Sequence, residues 1–179
     1  SPLRIGVGIP VSEPSSQHWL GTDTLGRDIL SRFLAGGRTL ILLPLAAVLI
    51  SGAVGVALGL LSGYKGGLLD EFMTRAADVS FSVPPLLIGM ILVAGLGSSP
   101  PILVGIVALL FIPRIFRVVR GATQAVIGQD FVQAARARGE PTSAILWREI
   151  LPNISGTVLA ELAIRLNYAI LWIATFNFL

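Results

Sequence analysis

Leu40-Ile41-Leu42-Leu43-Pro44-Leu45-Ala46-Ala47-Val48-Leu49-Ile50-Ser51-Gly52-Ala53-Val54-Gly55-Val56-Ala57-Leu58-Gly59-Leu60-Leu61 is a run of 22 residues without a charge. As an α-helix rising about 1.5 Å per residue it spans about 33 Å, enough to cross the hydrocarbon core of a bilayer. Gly55, Gly59 and Gly63 recur every four residues and share one helical face. Small residues on one face let a second helix approach closely, which predicts a packing seam. Pro44 stands near the start of the run, where a missing amide disturbs a helix least.

Outward from this run the pattern repeats. Val79–Pro113 is also charge-free, but it is too long for one helix. Gly95-Leu96-Gly97-Ser98-Ser99-Pro100-Pro101 cuts it with a strong turn signal. Two crossings are expected, the first kinked at Pro84-Pro85 and the second starting near Pro101 with Arg114, Arg117 and Arg120 at its far end. A last apolar region, Ile154–Leu179, is interrupted by Glu161 and Arg165. Their i,i+4 spacing with Glu first suits a mutual ion pair. The reading is an all-α integral membrane protein, a polytopic helical bundle.

Composition agrees. Apolar residues make up 54% and charged residues 13%, and the mean hydropathy is +0.82, outside the usual range of water-soluble domains. The formal charge of +3 does not indicate nucleic acid, because the arginines follow an apolar run, where they set topology beside acidic headgroups. Without cysteine the chain has no disulfide framework, thiol chemistry or Cys-based metal site. Ser1-Pro2 does not open a signal peptide, and the apolar run still open at Leu179 predicts that the chain is a piece of a longer one.

Four crossings place residues 64–78 and 114–153 on one side of the membrane, with residues 1–38 and the 98–100 turn on the other. The first side carries eight basic residues (Lys65, Arg75, Arg114, Arg117, Arg120, Arg136, Arg138, Arg148) and the second four (Arg4, Arg27, Arg32, Arg38). By the positive-inside tendency, 114–153 is cytoplasmic.

Within that cytoplasmic loop, Gly128–Pro141 has the marks of a short, bounded helix. Asp130 is expected to cap the first turn with Gln133 reaching back to it, an acidic capping box. Gly139 supplies the left-handed terminator and Pro141 prevents resumption. Ala134 and Ala135 add little bulk and Phe131 offers an apolar anchor, so the helix is suited to docking. An amphipathic connector lying on the membrane surface is the other reading of the same residues.

The stretch Gln133-Ala134-Ala135, then Gly139, then Leu151-Pro152 resembles the EAA loop of importers of the ATP-binding-cassette superfamily. Gln133 stands where Glu is usual, and Glu149 where Ile often precedes the Leu-Pro pair. A second segment, His18-Trp19-Leu20-Gly21-Thr22-Asp23-Thr24-Leu25-Gly26-Arg27-Asp28-Ile29-Leu30-Ser31-Arg32 followed by Gly37-Arg38, is similar to the region before the second crossing of dipeptide, oligopeptide and nickel permeases. Gly63-Tyr64, Gly66-Gly67 and Asp70 also resemble that family's second cytoplasmic connection. The resemblance covers residues 17 to the end. It implies an importer transmembrane domain at 39–179, an extracytoplasmic segment at 1–38 and a cytoplasmic coupling loop at 127–153. It further implies one crossing before residue 1 and one after Leu179.

On this resemblance, Asp130, Phe131, Gln133, Ala134, Ala135, Gly139, Leu151 and Pro152 belong to the ATPase-coupling loop of an importer of peptides or related small solutes. The implied location is a bacterial or archaeal inner membrane. The implied partners are a homologous permease subunit, two cytoplasmic ATP-binding subunits and an extracytoplasmic solute-binding protein. ATP and Mg would be used by the ATP-binding subunits, since this chain has no Gly-x-x-x-x-Gly-Lys loop and no nucleophile–base–orienter set. No cofactor is expected on this chain, and a lone His18 excludes a multi-histidine metal site. A membrane scaffold with a basic docking loop and no transport role is the rival from a different class. Glu161 and Arg165 read either as a satisfied pair or as part of a pathway.

Overall fold

The computed structural model describes residues 8–178. Arg4, counted above among the topology charges, Ser1-Pro2 and the chain end at Leu179 lie outside the described residues. The chain divides into two compact units, Ser1–Leu42 and Leu43–Leu179. Helix α1 (Ile29–Lys65) contains the boundary between them.

The second unit contains the rest of α1 followed by α2 (Gly67–Phe81), α3 (Pro85–Leu96), α4 (Pro100–Val126), α5 (Asp130–Ala137), α6 (Thr142–Ala144), a π-helical turn (Ile145–Ile150) and α7 (Leu151–Phe178). Three helical stretches are long and apolar enough to cross a membrane: Ile29–Lys65, Pro100–Val126 and Thr142–Phe178. The bent pair α2–α3 makes up to four.

The kink expected at Pro84-Pro85 is a full break. The axes of α2 and α3 differ by 80°. Pro84, itself followed by a proline, is pushed into extended geometry at φ −54°, ψ 121°, and Pro85 opens α3 at its first position. Alone, the 12 residues of α3 extend about 18 Å, short of a bilayer core. Pro44 corrects a second expectation. Because α1 starts at Ile29, Pro44 lies in the helix interior and is buried.

Helix α4 is the centre of the second unit, packing most extensively on α7 and also on α2 and α3. Phe111, Ile115 and Val119 of α4 and Ile173 and Phe176 of α7 are essentially inaccessible. Phe111 and Trp172 pack with tilted rings at 5.2 Å between centroids, and Trp172 meets Phe176 edge-on at 6.1 Å.

The glycine face of α1 lies directly on α4. A Cβ on Gly55 would sit 2.8 Å from Ile115, one on Gly59 2.7 Å from Val119, and one on Gly63 2.8 Å from Thr123. Gly52 extends the row, against Leu162 of α7. Pro152 is the second residue of α7, inside the longer helical stretch Thr142–Phe178. Its missing N–H and its ring, which crowds the carbonyl of Arg148, account for the π-helical widening immediately before it.

Candidate functional site

In the N-terminal unit, Thr22 and Asp23 organise the fold. Thr22 is 3% exposed. Its hydroxyl donates to the Ile9 carbonyl, accepts from the Ser12 amide at 3.0 Å and lies 2.9 Å from the Ser12 hydroxyl. Asp23 Oδ1 accepts the amides of Leu25 (2.9 Å) and Arg27 (3.0 Å), while Oδ2 accepts Arg27 Nε (2.8 Å) and Arg32 Nη1 (2.6 Å). The Arg27 backbone amide first, then the two guanidinium groups, hold the Asp23 carboxyl well below the usual carboxylate range.

Asp28 precedes α1 and accepts the Ser31 amide at 2.8 Å, capping the helix. That bond, helped by His18 at 3.2 Å, also lowers the Asp28 carboxyl. Gly21 and Gly26 take φ of +72° and +67°. A Cβ on Gly21 would collide with the Ser12 carbonyl. Leu25 is exposed. The motif residues Gly21, Thr22, Asp23, Gly26, Arg27, Asp28, Ser31 and Arg32 thus come together in one hydrogen-bonded knot. His18, the first residue of the matched segment and set aside only as a metal ligand, belongs to it through Asp28.

In the second unit, α5 is an eight-residue helix whose two ends differ from each other. Its N-terminus lacks the expected capping box. Gln129 is the cap residue and makes no side-chain cap bond. Asp130 lies in the first turn, and Gln133 Nε2 donates instead to the Ile127 carbonyl at 3.2 Å. An acidic first turn still complements the helix dipole.

The C-terminus is a complete Schellman motif. Gly139 at φ +72° donates its amide to the Arg136 carbonyl, and Glu140 donates to that of Ala135. Pro141 does not prevent resumption but redirects it, serving as the N-cap of α6.

Val132 and Ala135 are fully buried on the side of α5 that packs against the π-helical turn, and Phe131 is half-buried beside them. Ala135 is therefore internal packing. The open face consists of Asp130, Gln133, Ala134 and Ala137. Leu151 is half-buried and Pro152 exposed.

Three contacts that the sequence did not announce fasten this region. Arg136 Nε donates to the Tyr64 hydroxyl at 3.2 Å, with its guanidinium 4.7 Å from the ring centroid at the end of α1. Arg138 bridges Glu140 (2.7 Å) and Glu149 (3.4 Å). Arg120 of α4 binds Asp70 of α2 through both carboxylate oxygens, and Ser62 donates to the same group. Beside α5 an open cleft of about 700 Å³ is lined by Glu140, Pro141, Ser143, Ala144, Trp147, Arg148 and Glu149. Trp147 stands half exposed in it. A large aromatic among charged loop residues was the available signal for this cleft.

One helical turn back along α4 from Arg120, Arg117 pairs with Asp78, and on α7 Glu161 and Arg165 pair at 2.7 Å. Among the described residues no group of three or more His, Asp or Glu side chains is arranged to hold a metal ion.

Comparison with known proteins extends the match beyond single motifs. The profile of the family described as binding-protein-dependent transport system inner membrane component matches residues 55–179. The glutathione transport system permease protein GsiD of Pectobacterium atrosepticum is 38% identical over 166 residues, covering 93% of this chain and 55% of the relative. GsiD of Escherichia coli is 39% identical with the same coverage. The oligopeptide transport system permease protein OppC of Bacillus subtilis is 36% identical, covering 93% of this chain and 54% of the relative. The chain spans about half the length of the curated relatives it matches. Since the profile takes in the whole glycine seam from Gly55 and every helix after it, the chain belongs to the inner membrane components of binding-protein-dependent transport systems, a multi-pass membrane permease family.

Proposed function

We propose that this chain is the pore-forming subunit of an ATP-driven importer of peptides or related small solutes, and that α5 is its coupling lever. The observation that carries this reading is the construction of α5. It is a short helix with a buried inner face and an open outer face, ended by a Schellman motif and redirected into α6, the π-helical turn and α7 without a flexible linker. A push on α5 is delivered to α7, and the most extensive helix contact of α7 is with α4. Arg136 against Tyr64 links the same lever to the end of α1.

In this reading the α5 side of the membrane is cytoplasmic. One of two ATP-binding subunits docks on Gln133, Ala134 and the Trp147 cleft, and the pair uses ATP and Mg. Their closure rocks the helices between an outward and an inward cavity, the hinge and shear motion open to packed helices. A homologous permease subunit completes the cavity, and an extracytoplasmic solute-binding protein delivers the solute. The glutathione and oligopeptide systems named among the relatives support a peptide-like cargo.

Substituting Ala134→Glu puts a charge on the open face, and Gly139→Arg forces a side chain into the left-handed conformation, a strain of about 1–2 kcal/mol. Both variants are expected to insert normally and to lose co-purification of the ATP-binding subunits and ATP-dependent uptake. Unimpaired association and uptake in both would overturn the coupling assignment.

A further inference from the structure

Three arginines converge on an open, charge-lined cavity of about 350 Å³ in the second unit, bounded by Phe81, Arg114, Arg117, Val118, Glu161 and Arg165. Its depth sets it apart from a rim of topology charges. Counted from Pro100, Arg114 lies about 21 Å along α4, inside a hydrocarbon span of about 30 Å. The helix runs on to Val126, so these arginines are not at its far end. Ionised side chains at such depth face water-filled cavities or protein and mark solute or ion paths.

The charges do not balance. Arg117 is paired with Asp78 and Arg165 with Glu161. Arg114 has no carboxylate within ion-pair reach among the described residues and rests over the Phe81 ring at 5.6 Å, with Arg117 over the same ring at 4.3 Å. Three guanidinium groups therefore meet two carboxylates. The deeper pair is also incomplete. The side chain of Glu161 is 9% exposed and that of Arg165 11%. Although they lie 2.7 Å apart, the N–H is not directed at the oxygen, so Glu161 Oε1 and Arg165 Nε are both buried without a hydrogen-bond partner. Buried polar atoms of this kind are normally satisfied.

We propose that this cavity is an oxyanion subsite that takes a carboxylate of the transported solute, with Arg114 and Arg165 as its donors and Phe81 as an apolar wall. The planar guanidinium fork matches a carboxylate in two parallel bonds, which gives geometric selection as well as charge. Glu161 holds Arg165 in place, and Asp78 removes Arg117 from the surplus. A lipid phosphate has the same oxyanion chemistry and is the alternative source. The inference rests on the importer reading above.

The test uses the full-length permease complex in vesicles and an equimolar set of di- and tripeptides, each offered as the free acid and as the C-terminal amide. Uptake is followed by mass spectrometry. Free acids are expected to be preferred. Arg114→Gln, which removes no ion pair, is expected to lower kcat/KM for the acids about tenfold and for the amides by less than about twofold, the difference expected for one charge-assisted contact. Equal uptake of acid and amide by the wild type, or an equal loss of both in the variant, overturns the subsite while leaving the importer intact. Uptake of no peptide in either form removes the importer reading itself.

A second readout separates the two oxyanion sources. Modification of Arg114 and Arg165 by phenylglyoxal is expected to be slowed by trialanine, and not by its amide, in pure phosphatidylcholine. Protection that needs phosphatidylglycerol and ignores trialanine would assign the cavity to lipid and sink the proposal.

Discussion

Gly59→Ala adds one methyl group at the closest point of the α1–α4 seam, and its consequence can be worked from the distances there. The new carbon would lie 2.7 Å from Val119 Cβ, 2.9 Å from the Phe116 carbonyl oxygen and 3.0 Å from the Arg120 amide nitrogen. Two of these are backbone atoms and the third is the branch point of a β-branched side chain, so no rotamer relieves the contact. An ordinary carbon–carbon separation is about 3.5–4.0 Å, so the helices must part locally by about 1 Å, which forfeits about a quarter to a half of the dispersion energy across the gap.

In a bilayer this loss has no hydrophobic compensation, because lipid tails are as apolar as the helix surfaces. Overpacking of this kind costs about 1–3 kcal/mol, and the better helix propensity of alanine returns at most about 1 kcal/mol. The net expectation is destabilisation by about 1–2 kcal/mol. Gly105→Ala is the matched control, since a Cβ there meets nothing within 4 Å; it gains the propensity term alone and is expected to stabilise by up to about 1 kcal/mol. Unfolding of both variants by sodium dodecyl sulfate in mixed micelles, followed by circular dichroism, measures the two shifts. Opposite signs are expected. Equal shifts in the same direction would refute the close-packed seam.

The Asp70–Arg120 pair predicts that Arg120→Gln destabilises the second unit by about 2 kcal/mol, the cost of stranding a half-buried carboxylate, and that a double-mutant cycle with Asp70→Asn recovers a coupling of at least about 1 kcal/mol. Additivity of the two substitutions would contradict the bidentate geometry. In the N-terminal unit, Asp23 is more acidic folded than unfolded, so its contribution is fully present above the unfolded carboxylate value of about 4 and is lost as pH falls toward the depressed native value. Fluorescence of Trp19, with Trp147 and Trp172 replaced, is expected to stay level from pH 7 to about 4 and to change below it. Asp23→Asn is expected to show the altered signal already at pH 7, and an acid response identical to wild type would disprove the role given to this carboxylate.

Much of this protein was determined by one-dimensional information. Uncharged runs such as Leu40–Leu61 demand lipid because no other solvent accepts that many apolar side chains in a chain with so few charges. Glycines four apart must share a face whatever lies opposite, and a glycine followed two residues later by proline ends a helix by its own backbone preferences, as Gly139 does. The Glu161–Arg165 pair was also legible, since i,i+4 spacing alone brings the two groups together.

What the tertiary structure decided are matters of direction and partner. Whether Pro84-Pro85 bends or breaks the chain depends on what α2 and α3 pack against, and the result is an 80° turn. Ala134 and Ala135 look alike in sequence, yet one faces outward and the other is buried, because the rotation of α5 is set by the fit of Val132 and Ala135 on the π-helical turn. Asp70 and Arg120 are 50 residues apart, and Tyr64 and Arg136 are 72 apart. No local preference specifies such pairs; they exist because the close approach of α1 to α4 and the packing of α4 on α2 leave each charge one partner within reach. The surplus of positive charge around Arg114 arises in the same way, from three helices converging on a space that none of them marks by itself.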